Sequence, residues 1–335
     1  MLSVSKRVFA SLFAGVLLWA SNPATAQNTE EVKLTAASYL AATHVGHRSF
    51  QEFLQNVEQA SGGGIGYAYH PNGSLFSQGQ LLQAGRIGTA DMVSLATSVF
   101  PGELPFSADA GTLLFLWDLG NFDKAWQVLK PELEAELATQ NLKPLWMAGT
   151  VTQWFMQSET NLDNPSWAGR RIRGFGGAST RMIEILGGTN VAIANNELAM
   201  AASTGVIHGL GTSLGSFANW GVEKQLPCML VNNNVPLIVI IAINLDTWNR
   251  LPAPFQEILS AEAEKVQTKY FQVLRDEEEP AQKKFGEATG CVQTFSEAQR
   301  EEWRAHLEPI FEEFRNKHGA KGEKFIADVL EIVKE

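Results

Sequence analysis

The densest chemistry in this sequence lies in residues 170–188, RRIRGFGGASTRMIEILGG, where three arginines precede a run of glycines. Arg173 ends a short apolar-alternating stretch, and Gly174, Gly176 and Gly177 follow it. A guanidinium offers a planar fork of N–H donors matched to a carboxylate or a similar oxyanion such as a sulfonate. Glycines keep side chains away from that fork, and a helix starting near Ser179 would aim its N-terminus at the same anion. The three arginines are therefore a candidate anion site, with a surface ion pair as the plain alternative for each. Other chemistries lack their residues. There is no G-x-S-x-G for a nucleophilic serine, and GGAST lacks the lysine of a phosphate loop. GGGIG at 62–66 precedes a strand pattern instead of opening a helix, so it reads as a turn and not a dinucleotide loop. His44 and His47 have no Cys or acidic companion at zinc spacing. Catalysis, a metal site and a cofactor all lack support.

The elements that must position Arg173 alternate between strand and helix. A strand is expected at 31–38, a helix at 44–59, a strand at 65–69, a helix at 78–87 and a strand at 91–95. A helix at 122–140 and a strand at 142–148 complete this series. A second series follows: strand 170–173, helix 179–186, strand 189–192, helix 197–204 and strand 206–208. VPLIVIIAIN, residues 235–244, reads as one fully buried strand. Residues 254 to about 284 form a long amphipathic helix whose acidic run, 276–279, reads as a solvated face. Ser296 caps a further helix. Two alternating series parted near residue 150 give an α/β chain of two lobes.

The chain has 335 residues and a formal net charge of −10. Lys6 and Arg7 precede an apolar run from Val8 to Trp19, and ATA at 24–26 is a small-x-small cleavage signal. Residues 1–26 are thus expected to be a cleaved export leader, too short in its apolar part to span a bilayer. The remaining acidity argues against nucleic acid and anionic lipid as partners, so an anionic ligand needs a local positive site. The two cysteines, Cys228 and Cys291, could pair in an exported protein, but their spacing leaves that open.

Several blocks in order carry a resemblance. YHPNGSLFSQGQLLQAGRIGTADM, NPSWAGRRIR, NELAMAASTGVIHG and AINLDTWNRLPAPFQEIL resemble the extracytoplasmic solute-binding subunits of tripartite ATP-independent periplasmic (TRAP) transporters, of the C4-dicarboxylate-binding DctP type. The resemblance covers nearly the whole chain beyond the leader. It implies a two-lobed periplasmic binding protein fold, with hinged lobes joined by crossing strands and a long helix in the C-terminal region. Residues 27–150 plus about 238–280 would form one lobe, and 151–237 plus about 281–335 the other. It also implies a monomeric periplasmic subunit that closes on a small organic acid and delivers it to small and large membrane permease subunits. A binding protein that presents its ligand to a sensor receptor is the alternative.

In that family the arginine ending the K-I-R strand pairs with the ligand carboxylate, and Arg173 occupies its place. Counting back twenty positions gives Gln153, where the family often has a basic or amide residue. The oxoacid-binding branch has an acidic residue that helps hold a cation; Gly211 and Thr212 stand in that region here, so no metal is implied. Trp154 and Phe175 adjoin these contacts, Ser213 and Trp220 follow them, and Tyr39 and His44 flank the loop that reaches over the ligand in this family. One convincing arginine among aromatics points to a monocarboxylate with an apolar or aromatic body. Intact-mass measurement of exported protein is expected to find Gln27 at the N-terminus; an exported form that keeps Met1 would contradict the leader.

Overall fold

The computed structural model of the protein describes residues 31–42, 44–175, 177–194 and 197–333, without the side chains of residues 177, 178 and 236. The expected leader lies outside the described residues. The chain opens with β1 (Val32–Ala37), α1 (Val45–Ala60), β2 (Ile65–His70), α2 (Leu81–Arg86) and β3 (Met92–Ala96). The helices α3 (Pro105–Ala110) and α4 (Phe122–Ala138) lead to β4 (Leu142–Met147). Then come β5 (Thr150–Met156), β6 (Arg171–Arg173), α5 (Gly177–Ile185), β7 (Thr189–Asn190), α6 (Leu198–Ser203), β8 (Gly209–Thr212) and α7 (Leu214–Trp220). The last part holds β9 (Cys228–Leu237), β10 (Val239–Asn244), α8 (Leu245–Arg250), α9 (Ala253–Thr289), β11 (Cys291–Thr294), α10 (Glu297–His306) and α11 (Glu308–Ile332).

These strands form two sheets, ordered β2-β1-β3-β10-β4 and β11-β9-β5-β8-β6-β7. The two-lobed α/β architecture follows, with one sheet at the centre of each lobe. In the first, β1 runs parallel to β2 and β3, while β10 is antiparallel to both β3 and β4. Val239 to Ile243 of β10 are at most 2% exposed, and each valine and isoleucine among them contributes roughly 1.5–3 kcal/mol by burial. The apolar run 235–244 is not one strand. It is shared between the end of β9 in the second sheet and β10 in the first, with Ile238 between them. The chain also passes between sheets at Ala148 and Gly149, from β4 into β5.

At the two crossings the backbone leaves one ladder for another, and α9 supplies partners there. The side-chain amide of Gln267 accepts from the Met147 N–H at 2.7 Å and donates to its carbonyl at 3.2 Å. The Tyr270 hydroxyl donates to the Gly149 carbonyl at 2.6 Å. Gln267 and Tyr270 lie on the stripe that runs through Phe255, Leu259, Val266 and Leu274, the spacing of one buried helix face. The β1–α1 loop reaches the same place: His44 Nδ1 accepts from the Gly46 N–H at 2.9 Å and caps α1, while Nε2 lies 3.1 Å from Thr150 Oγ1. Because Nδ1 accepts, Nε2 carries the proton and donates to Thr150.

After α9 the chain returns to the second sheet. Cys228 and Cys291 sit opposite each other where β9 and β11 pair in parallel, and they are joined in a disulfide with Cα atoms 4.6 Å apart. The sequence left that bond open; adjacent parallel strands bring the two thiols together. The elements of residues 281–335 pack in two places, with α10 setting Trp303 against Leu162 and Trp167. β11 joins the second sheet, but α11 packs on α3 and α4. Phe314 and Phe325 set their rings 5.4 and 5.2 Å from Phe106, and Lys321 pairs with Glu132 at 2.5 Å.

Two outcomes are expected. Replacing both cysteines with serine frees a 63-residue separation in the unfolded chain and should cost about 4 kcal/mol in denaturant unfolding; a loss under about 1 kcal/mol would mean that packing alone holds β11. Burial, then the charge of Arg48 and the neighbouring His47, push the His44 pKa from 6.5 down to about 4. Between those values the unfolded chain binds a proton that the folded chain refuses, so stability falls as pH drops through that window. His44→Asn keeps a capping oxygen without the titration. Its stability should therefore fall less between pH 7 and pH 4 than the parent's, by on the order of 3 kcal/mol; parallel profiles would contradict this.

Candidate functional site

Arg173 is the last residue of β6, which lies between β7 and β8 with Arg173 opposite Leu210. Beyond it the chain turns sharply. The Gly174 N–H donates to Asn190 Oδ1 at 3.1 Å, and the Phe175 N–H donates to Ser179 Oγ at 2.7 Å. A Cβ on Gly174 would come within 2.6 Å of that Ser179 oxygen, so only glycine lets the turn close. Arg173 is half-buried, its Nε donates a long 3.5 Å bond to the Ile193 carbonyl, and burial draws its pKa below the usual arginine value. It remains charged, because no protein environment neutralises a guanidinium near pH 7. It lines a cavity of about 620 Å³ with Phe175, Asn190, Thr212, Ser216 and Trp220, within the range of small-molecule sites.

Four of the sequence-derived residues thus meet in one space: Arg173, Phe175, Thr212 and Trp220. Trp154 does not. It is fully buried, with its ring 4.8 Å from that of Trp167 and 5.4 Å from that of Phe175. Its contribution is to support Phe175 from behind. Phe217 is likewise core, stacked on Phe155 at 3.7 Å. Gly211 has a steric reason. A Cβ there would lie 2.6 Å from Phe175 and 2.8 Å from Trp154, so the two aromatic rings occupy the space a side chain at this position would need. Among the described residues no cluster of His, Cys, Asp and Glu is arranged to hold a metal.

A second cavity, of about 530 Å³, adjoins the first; Ser216 lines both. Its wall includes His44, Thr150, Ser213, Glu277 and Glu278. Thr212 and Ser213 are consecutive but line different cavities. Tyr39 lines neither. It is half-buried against the core of the first sheet, which pushes its phenol above the usual tyrosine value.

Gln153 also lines neither cavity, being fully buried in β5. Its carbonyl accepts from the N–H groups of Asn232 and Asn233, at 2.9 and 3.1 Å. Its amide donates to Asn233 Oδ1 at 2.7 Å and to Glu278 Oε1 at 2.9 Å. Those bonds satisfy the backbone where β9 bulges, with Asn233 at φ 50°. Glu278 is the residue that sequence reading missed. The run 276–279 reads as a solvated face, yet position 278 lies four beyond buried Leu274 and seven before buried Phe285, so it continues the inward stripe. Burial raises its pKa, while the Gln153 and Gln282 amides pull it back.

Arg170 and Arg171 stay out of both cavities, and among the described residues they form no ion pair. Arg170 donates to Thr160 Oγ1 and the Glu159 carbonyl, at 3.1 and 2.8 Å. Arg171 donates to the Val206 and Gly205 carbonyls, at 2.7 and 2.5 Å. Both fasten loops.

Known proteins resemble the chain along nearly its whole described length. A solute-binding protein of Sulfitobacter sp. (strain NAS-14.1) is 22% identical over 245 residues, which is 70% of this chain and 72% of the relative. A TRAP periplasmic solute binding protein from Ochrobactrum anthropi, with a C-terminus bound in its ligand pocket, superposes with a TM-score of 0.82. It is 19% identical and covers 91% of this chain and 96% of its own. A marine metagenome TRAP solute binding protein specific for pyroglutamate gives 0.75 at 20% identity, over 90% and 99% of the two chains. The model of the bacterial extracellular solute-binding protein family 7 (DctP) matches residues 36–317. The chain belongs to that family, whose members are binding proteins and not enzymes.

Proposed function

We propose that this protein is the periplasmic solute-binding subunit of a TRAP transporter, acting as a monomer. It captures a small organic acid between its lobes and hands it to the membrane permease subunits. The observation that carries the reading is the placing of Arg173 at the end of β6, half-desolvated, in the wall of a ligand-sized cavity. A carboxylate is the partner that this fork fits. Phe175 and Trp220 would cover the ligand's apolar body, and Thr212 and Asn190 would hydrogen-bond its polar atoms. The pyroglutamate of the metagenome relative is a carboxylate of suitable size. Closure of the lobes would exclude water and strengthen the charge pair. Among the described residues no helix is long and apolar enough to cross a membrane.

The test is a thermal-shift screen of small organic acids, followed by calorimetric titration with the acid giving the largest shift. Arg173→Ala should lose about 2–5 kcal/mol, roughly 30- to several-thousand-fold in Kd. Arg173→Lys should recover only part of this, because an ammonium lacks the two-pronged geometry. Arg170→Ala, which removes a loop contact, should bind within about threefold of the parent. An Arg173→Ala protein that stays folded and binds within threefold would contradict the proposal, as would an equal loss in Arg170→Ala.

A further inference from the structure

The second cavity holds a carboxylate that anion capture at Arg173 leaves unexplained. Glu278 reaches the cavity wall because it lies on the inward stripe of α9. Its Oε1 accepts from Gln153 at 2.9 Å and from Gln282 at 3.1 Å. Both amides also donate to Asn233 Oδ1, each at 2.7 Å, so the carboxylate cannot swing without breaking a knot of four side chains. Its Oε2 accepts nothing from the described residues.

The surrounding charges leave Glu278 in command of this space. Glu277 is paired with Arg48 at 2.6 Å. His44, on the same cavity wall, is neutral near pH 7. An oriented carboxylate oxygen on the wall of a ligand-sized space favours a hydrogen-bond donor there and opposes a second anion. Since Ser216 lines both cavities, a ligand extending from one to the other would meet a guanidinium at one end and a carboxylate at the other.

Resting on the carboxylate reading of Arg173, we infer that Glu278 is a second ligand-binding residue, selecting organic acids that carry an ammonium or amide N–H and rejecting those that carry a second carboxylate. This narrows the ligand from a monocarboxylate with an apolar body to an amino acid or lactam acid.

Four acids of equal carbon number separate the possibilities: pentanoate, glutarate, 5-aminopentanoate and pyroglutamate. Calorimetry on the parent protein should find 5-aminopentanoate or pyroglutamate bound at least tenfold more tightly than glutarate and pentanoate. Glu278→Gln, checked for folding by its thermal melt, should shrink that margin to within about threefold and improve glutarate binding. Glutarate or pentanoate matching both donor-bearing acids in the parent would overturn the inference without any variant. So would a full margin surviving in Glu278→Gln, or failure of both donor-bearing acids to bind. Arg173→Ala serves as the separate control. If it weakens every acid that binds while the margin is absent, only the role of Glu278 falls; if binding is independent of Arg173, the underlying reading falls as well.

Discussion

The structure depends on what happens where the chain leaves one sheet for the other. At such a crossing the backbone loses its ladder partners in a place that water does not reach, and every unpaired N–H or C=O there would be costly. Side chains from α9 and β5 supply the missing partners. Gln267 bonds both polar groups of Met147, Tyr270 takes the Gly149 carbonyl, and Gln153 takes two N–H groups at the β9 bulge. The loop before α4 adds to the same bulge: the Leu119 N–H donates to the Asn233 carbonyl at 2.9 Å and the Phe115 N–H to Asn234 Oδ1 at 3.2 Å. The floor between the lobes is therefore tied by directional bonds in addition to apolar packing.

The character of the cleft follows from that floor. Gln153 cannot serve a ligand, because its amide is already spent on Asn232, Asn233 and Glu278. By the same bonds it fixes the Glu278 carboxylate in the wall. Arg173, from the other side of β8, sets the opposite charge in the adjoining space. The Trp154 and Phe175 rings occupy the room beside Gly211, so this part of the site is shaped by aromatic packing, with no acidic side chain at that position. Polarity in the cleft is thus concentrated in a few held groups.

Much of this was legible in the sequence, and the exceptions have physical causes. The first-lobe elements and Arg173 were readable because alternation, glycine turns and a capped helix are local signals. β5 was not, because Val151 to Met156 are buried on both faces, so no period of two appears, and Thr152 and Gln153 break the apolar run. β9 was hidden by its three asparagines, around which the strand bulges. Trp154 was assigned to the pocket from its nearness in sequence to Gln153, yet alternate residues of a strand serve different faces. Glu278 was hidden by its acidic neighbours; only its phase on α9 marks it. The Cys228–Cys291 pairing required the topology, since β11 reaches β9 only after a helix of 37 residues.

The central claim is that a ligand carboxylate sits on Arg173, in the cavity next to Glu278. The most direct measurement is a crystal structure of the protein with the acid that stabilises it most in the screen. Two guanidinium N–H groups of Arg173 should lie about 2.8–3.0 Å from the two carboxylate oxygens, with Phe175 and Trp220 against the ligand body. A carboxylate held by other residues, with Arg173 making no contact to it, would contradict the account.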